Sequence, residues 1–191
     1  MIINAKFETS VFSKDKIIDS DKKQIVLVGK SNVGKSSFIN ALTNHSKLAK
    51  VGNTPGKTRC LNYYNVADEY YIVDMPGYGY SKMSLGEKKS VQKLVDCYLD
   101  SGMVSYIFFL VDIRHKPTSD DRHMYDYLMT TNIPFTIIAN KLDKIKKSQV
   151  DDSIMDITKT LFAKEAIIPF SGEKKIGVDE VCDIINNVIN S

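Results

Sequence analysis

No apolar run in this sequence is long enough to cross a membrane. The longest, YIFFLV at Tyr106–Val111, falls far short of the ~20 residues such a helix needs. The N-terminus, MIINAKFETS, carries Lys6 and Glu8 and lacks the apolar middle of a signal peptide. Cysteine is scarce. Cys60, Cys97 and Cys182 are far apart and odd in number, which gives neither a disulfide framework nor metal-ligand spacing and points to a reducing compartment. Charge of one sign is lacking too. With 26 basic against 23 acidic residues the net charge is +3, too mild to imply nucleic acid unless a basic face is built locally. Internal repeats and low-complexity segments are absent from the sequence. What remains is a chain of 191 residues, 43% hydrophobic and 26% charged, as expected of a globular protein with one main domain and a sizeable core. A soluble, cytoplasmic protein with no membrane partner is the expectation.

Short apolar runs rich in β-branched and aromatic residues recur at 24–29, 61–67, 70–75, 104–113, 134–140 and 166–171. Helix-like segments lie between most of them, at 35–45, 86–101, 119–130, 149–164 and 177–190. IVLV, IFFLV and TIIA are apolar throughout rather than alternating, which fits strands buried on both faces of a parallel sheet. The alternation predicts a three-layer α/β domain over 23–191, with a mostly parallel six-stranded sheet and helices on both faces. The pair at 61–67 and 70–75, joined by Asp68-Glu69, reads as a hairpin that supplies one antiparallel edge strand. Residues 1–22 are weakly patterned and read as an extension packed on the domain's edge. Residues 46–60 match no element, and polar loops of that length are usually functional or disordered.

GKSNVGKSSF, directly after IVLVG, matches G-x-x-x-x-G-K-[ST] through Gly29, Gly34, Lys35 and Ser36. It follows a predicted strand and opens a predicted helix. A phosphate chain needs backbone N–H groups close around it, so Gly29, Lys30, Ser31, Asn32, Val33 and Gly34 would form the cradle. The helix N-terminus adds free N–H groups and its positive dipole end. Lys35 can reach the outer phosphates, and the Ser36 hydroxyl can ligate a Mg²⁺ that bridges them. Asp74 ends YYIVD and is followed by Met75, Pro76 and Gly77. A carboxylate at a buried strand tip is costly unless paired or metal-bound; here it would hold Mg²⁺ through a water, and Gly77 would offer its N–H to the γ-phosphate. NKLD (Asn140, Lys141, Leu142, Asp143) follows another buried strand. Asp143 would accept from the ring N–H and exocyclic amine of guanine, a pairing that adenine cannot make. Asn140 would support the loop and contact the base edge, and the Lys141 stem would cover the base face. FSG (Phe170, Ser171, Gly172) after the last strand can offer backbone N–H groups to guanine's carbonyl. The order of these motifs is that of translation-factor-like GTPases, and NKLD argues against an unrelated ATPase. In the loop TPGKTRC either Thr58 or Thr54 could be the switch threonine that ligates Mg²⁺, and spacing alone leaves both open.

FETS, GKSNVGKSSFINAL, TPGKTRCLNYY, VDMPGYGYSK, VDIRHKPTSDDRHMYDYL and ANKLDK together resemble the bacterial EngB (YihA/YsxC) family of the TrmE-Era-EngA-like GTPases. The resemblance spans nearly the whole chain, and GYGY, RHKPTSDD and PGKTR are its narrowest signals. It implies a GTPase that acts in assembly of the large ribosomal subunit and in normal cell division. It also implies that Thr58 is the Mg²⁺-ligating threonine and that Gly56, Lys57, Thr58, Arg59 and Cys60 contact the nucleotide. A GTP-dependent scaffold of a division complex, with incidental hydrolysis, is the alternative reading.

Phosphoryl transfer to water depends on positioning and charge neutralisation, and Lys35, Thr58 and Gly77 would supply them. Where Ras-like proteins carry a water-orienting glutamine, this chain has Tyr78, which lacks an amide. Slow intrinsic hydrolysis follows, unless Tyr78 only packs in the switch while another residue acts. Asn32 could ligate a K⁺ beside the phosphates in place of an arginine finger, or it could serve only to tolerate a strained loop conformation. Basic residues gather at Lys47, Lys50, Lys57 and Arg59, at Lys82, Lys88, Lys89 and Lys93, and at Lys144, Lys146 and Lys147. If the first two clusters share a face, they offer a surface for ribosomal RNA. With no long apolar helix face, a monomer is expected.

Overall fold

The structure is a computed structural model that describes residues 2, 4–50, 59–79 and 83–191. Among these, seven strands form one sheet: β1 (Ala5–Val11), β2 (Lys23–Gly29), β3 (Leu61–Val66), β4 (Tyr70–Asp74), β5 (Val104–Asp112), β6 (Phe135–Asn140) and β7 (Ile167–Phe170). The accompanying α-helices are α1 (Lys35–Leu42), α2 (Leu85–Leu99), α3 (Ser119–Thr130), α4 (Val150–Leu161) and α5 (Val178–Ile189). Spatially the strands run β1-β3-β4-β2-β5-β6-β7. β2, β4, β5, β6 and β7 are parallel, and β3 runs against both β4 and β1.

The central strands are apolar on both faces because both faces are covered. On one side Ile25, Leu27, Ile72, Phe108, Leu110 and Ile138 meet α1 and α5 through Phe38, Leu42, Val181 and Ile185. On the other, Val26, Val28, Val73, Phe109 and Ile137 meet α2, α3 and α4 through Leu94, Tyr98, Tyr125, Leu128 and Ile157. Gln24 is buried in this apolar setting, and its side chain is satisfied: it accepts from the Tyr98 hydroxyl (2.6 Å) and donates to the Ile18 carbonyl (3.2 Å).

The sheet differs from expectation at one edge. It has seven strands rather than six, and β3 is not its edge, because β1 covers it. β1 lies in the segment expected to be an extension. Lys6, Phe7 and Glu8 are all exposed, and the register with β3 slips between Phe7 and Thr9. A solvated, bulged edge strand has no alternation to read.

The predicted site residues Gly56, Lys57 and Thr58 lie outside the described residues, as do Thr54, Tyr80 and Lys82. The approach to that loop is held by Asn40. Its side chain donates to the Ala49 carbonyl (2.9 Å) and accepts from the Ala49 N–H (2.8 Å).

Candidate functional site

Parallel strands deliver their C-terminal ends to one edge of the sheet. Register aligns Leu27 with Asp74, Gly29 with Leu110, Asp112 with Asn140, and Asn140 with Phe170. Loops leaving those ends share one crevice, the usual ligand position in open α/β sheets.

The loop from β2 to α1 folds back over its own lysine. Gly34 takes φ 109° and Asn32 takes φ 62°. Lys35 is buried, and its ammonium donates to the Gly29 carbonyl at 3.1 Å. Burial lowers its pKa, and the charge of Asp74 opposes that shift. Ser36 follows in the first turn of α1, a helix whose N-cap, Gly34, brings no side-chain acceptor. The first-turn N–H groups are therefore available to a ligand.

Asp74, at the tip of β4, is only 3% exposed, and its Oδ1 has no hydrogen-bond partner among the described residues. Burial pushes its pKa up to about 6 against the pull of Lys35. An orphaned carboxylate oxygen beside a buried ammonium fits a hydrated divalent cation, which would neutralise it. Met75 and Pro76 are buried behind it. Gly77 lies directly on the phosphate loop: a Cβ there would come within 2.8 Å of the Ser31 nitrogen and 3.1 Å of the Lys35 ammonium.

On the base side, the Asn140 amide donates to the Val33 carbonyl at 2.9 Å. That nitrogen is thus spent on the phosphate loop. The Lys141 ammonium donates to the Asn32 carbonyl (2.8 Å) and to Asp112 (2.9 Å). Leu142–Lys144 form a single 3-10 turn that presents Asp143. One Asp143 oxygen accepts from the buried Ser171 hydroxyl at 2.7 Å. The other accepts no hydrogen bond among the described residues, although the Lys144 ammonium stands 2.9 Å away as an ion pair. Burial raises the pKa of Asp143, but the Ser171 and Lys144 contacts outweigh it and the net shift is downward. Asp143 is therefore a charged acceptor held between Ser171 and Lys144. Phe170 is fully buried against Phe38, with ring centroids 4.5 Å apart, and it sets the floor from which Ser171 and Gly172 emerge. Of the predicted contacts Gly56 to Cys60, Arg59 and Cys60 are described. Cys60 is buried, and Arg59 pairs with Glu87 of α2.

A family model described as 50S ribosome-binding GTPase matches residues 24–141. A "Probable GTP-binding protein EngB" of Mycoplasma mycoides subsp. mycoides SC is 42% identical over the full length of both chains. This chain belongs to the EngB family of GTP-binding proteins. A further EngB relative, from Clostridium kluyveri, is 45% identical over 95% of this chain and 91% of its own. A crystal structure of a probable engB GTP-binding protein matches with a TM-score of 0.70 at 23% identity, covering 87% of this chain and 98% of its own, and this likeness shows the fold. Era, crystallised with MgGDPNP and a segment of 16S ribosomal RNA, matches with a TM-score of 0.66 at 28% identity, over 86% of this chain and 56% of its own.

Two of the segments that carry the EngB resemblance most narrowly, GYGY and RHKPTSDD, meet in space. The Tyr78 hydroxyl donates to Asp121 at 2.7 Å, and the Tyr78 carbonyl accepts the Ser31 N–H at 3.1 Å. Asp121 also accepts from the Thr118 N–H and hydroxyl, at 2.7 Å each, in the capping box of α3. Lys30 donates to the same Thr118 hydroxyl at 3.2 Å. Burial and the neighbouring Asp121 charge push the Tyr78 phenol far above its ordinary range. So the side chain in the glutamine's place packs on the core and is tied to α3. Sequence reasoning missed Asp121 and Asp112. Both sit in the resemblance segment VDIRHKPTSDDRHMYDYL; the Thr118-x-x-Asp121 spacing announces a helix cap, but nothing local announces Tyr78 or Lys141 as a partner.

A carboxyl whose pKa is higher in the folded than in the unfolded chain favours folding as it protonates. For Asp74, at about 6 when folded, that contribution grows as pH falls through 6 and is complete below the unfolded value of about 3.9. Between pH 7 and 5 the nucleotide-free protein should gain about 1 kcal/mol from this group. Denaturant titrations across that range, on the wild type and on Asp74→Asn, check it. Equal pH dependence in both would refute the assignment.

Proposed function

We propose that this chain is a Mg²⁺-dependent GTPase with slow intrinsic hydrolysis, acting as a monomeric, cytoplasmic, nucleotide-controlled factor in assembly of the large ribosomal subunit and, through it, in normal cell division. Asp143 carries the guanine part of this reading. It is charged, held by Ser171 and paired with Lys144, and its second oxygen accepts no hydrogen bond among the described residues; a carboxylate so placed suits two adjacent donors on a purine edge. Gly29 to Ser36 surround the phosphates with N–H groups, and Lys35 adds a point charge. Ser36 and Thr58, with Asp74 through a water, would hold Mg²⁺, which would supply charge neutralisation. Met75 to Gly77 and Gly56 to Cys60 would contact the nucleotide. Asn140 to Asp143 and Phe170 to Gly172 take the base.

Slow hydrolysis follows from Tyr78, whose only side-chain polar group is committed to Asp121. Asn32 stands in the left-handed region with its carbonyl engaged by Lys141 and its side chain exposed. That conformation suits asparagine, and it leaves the amide oxygen to serve a K⁺ beside the phosphates. The ribosomal part rests on the family model's description and on the exposed Lys88, Lys89 and Lys93 along α2, near the pair formed by Arg59 and Glu87.

In a competition assay GTP and GDP should displace a fluorescent guanine nucleotide and ATP should not. Asp143→Asn should weaken GTP by about 10³-fold or more and admit XTP, whose ring carries a carbonyl where guanine has its amine. Displacement by ATP would overturn the guanine reading. GTP hydrolysis should accelerate when Na⁺ is replaced by K⁺, and Asn32→Ala should remove the difference. Equal rates in the two salts would rule out the cation. Sedimentation with large-subunit particles should require GTP and weaken with salt; pelleting that ignores the nucleotide would count against a switch.

A further inference from the structure

The base motif and the phosphate loop are bridged by Lys141, and the bridge has an anchor of its own. β5 and β6 pair with Asp112 opposite Asn140. This register sets the Asp112 carboxylate beside the residue that follows Asn140. Asp112 Oδ2 accepts from the Lys141 ammonium at 2.9 Å and from Arg114 Nη2 at 2.7 Å. Oδ1 accepts from Arg114 Nε at 2.9 Å and from the Arg114 N–H at 3.1 Å. The guanidinium fork thus grips both carboxylate oxygens, a geometry that fixes orientation as well as charge. Burial pushes the carboxyl up, but the Arg114 and Lys141 bonds outweigh it and hold its pKa down to about 2. Asp112 is charged throughout the physiological range.

Lys141 gains a defined path from this. Its backbone sits at φ 69°, and its ammonium is bracketed between Asp112 and the Asn32 carbonyl. A lysine stem free in solvent samples many rotamers, and ordering it costs conformational entropy. Here that order is already present before any ligand arrives.

We infer that Asp112, oriented by Arg114, is a positioning residue for nucleotide binding, which holds the Lys141 stem where it covers the face of the base. This rests on the GTPase reading above and deepens it. It assigns Arg114, and with it the start of RHKPTSDD, a physical task. It also separates two contributions that the base motif would otherwise share. Asp143 reads the base edge and decides which base binds. Asp112 acts through a ring face that every purine has, and so sets affinity without setting identity.

The test measures dissociation constants for GDP and for IDP, which lacks guanine's exocyclic amine. Asp112→Asn should weaken both by about tenfold, the lower range for losing a charge-assisted hydrogen bond, and should leave the GDP-to-IDP ratio unchanged. Arg114→Lys should lie between the wild type and Asp112→Asn, because a lysine supplies charge without the fork. Lys141→Met keeps an apolar stem and removes the ammonium, so adding Asp112→Asn to it should cost nothing further. Unchanged affinities, a GDP-to-IDP ratio that shifts with Asp112→Asn, or a full further loss in the Lys141→Met background would each overturn the inference. Failure of the wild type to bind either nucleotide would overturn the GTPase reading itself, and this inference with it.

Discussion

A buried hydrogen bond from the Asn140 amide to the Val33 carbonyl joins the loop that would read a base to the loop that would hold phosphates. The two residues are 107 positions apart in the chain. The contact is close enough to dictate its surroundings. A Cβ at position 34 would come within 2.3 Å of the Asn140 nitrogen, and Gly34 already stands at φ 109°. Glycine is required there on both counts. Breaking the bond would leave a buried donor and acceptor without partners, at a cost of about 1–3 kcal/mol per group. The second strut, Lys141 to Asn32, runs beside the first. Together they make the two halves of the crevice one preformed unit, so that little of a ligand's binding energy goes into assembling it.

That unit depends on sheet register. Parallel pairing sets Asp112, Asn140 and Phe170 in one row and Leu27 against Asp74. The loops that leave these strand tips then open on the same edge of the sheet, though the sequence spreads them from the first motif to Gly172. A slip of one residue would turn Asp74 or Asn140 to the opposite face of the sheet. The apolar runs that bury both faces are what prevent the slip.

The dense local motifs were legible because their chemistry is local. GKSNVGKSS announces a strand end, a glycine loop and a helix start within ten residues, and NKLD does the same at the end of β6. The doubly apolar strands were legible for a related reason, since IVLV and IFFLV admit few other placements. β1 was not. Its exposed Lys6, Phe7 and Glu8 and its bulge leave nothing periodic, and it becomes a strand only because β3 offers it an open edge. Asp112 and Asp121 were opaque for a different reason. A carboxylate declares its partner only when folding brings the partner near, and Lys141 and Tyr78 are 29 and 43 residues away from them. Within the site, the sequence predicts that Asn140 supports the loop and contacts the base edge; its amide nitrogen is bonded to the Val33 carbonyl, in the loop that would hold phosphates.

The contact between Tyr78 and Ser31 ties these parts to the second switch. The Ser31 N–H lies in the loop that would hold phosphates, and the Tyr78 carbonyl accepts it at 3.1 Å. Any anionic group that takes this N–H competes with that carbonyl. Tyr78 cannot yield freely, because its hydroxyl is held by Asp121 in the capping box of α3. Gly79 limits it further. It stands at φ 82°, with the Lys30 side chain within 2.9 Å of where a Cβ would lie. Lys30 in turn bonds Thr118, the N-cap of α3. Hydrogen bonds thus run from the Ser31 amide through Tyr78 and Asp121 to the first turn of α3. The segments GYGY and RHKPTSDD, separate in sequence, are the two ends of that connection.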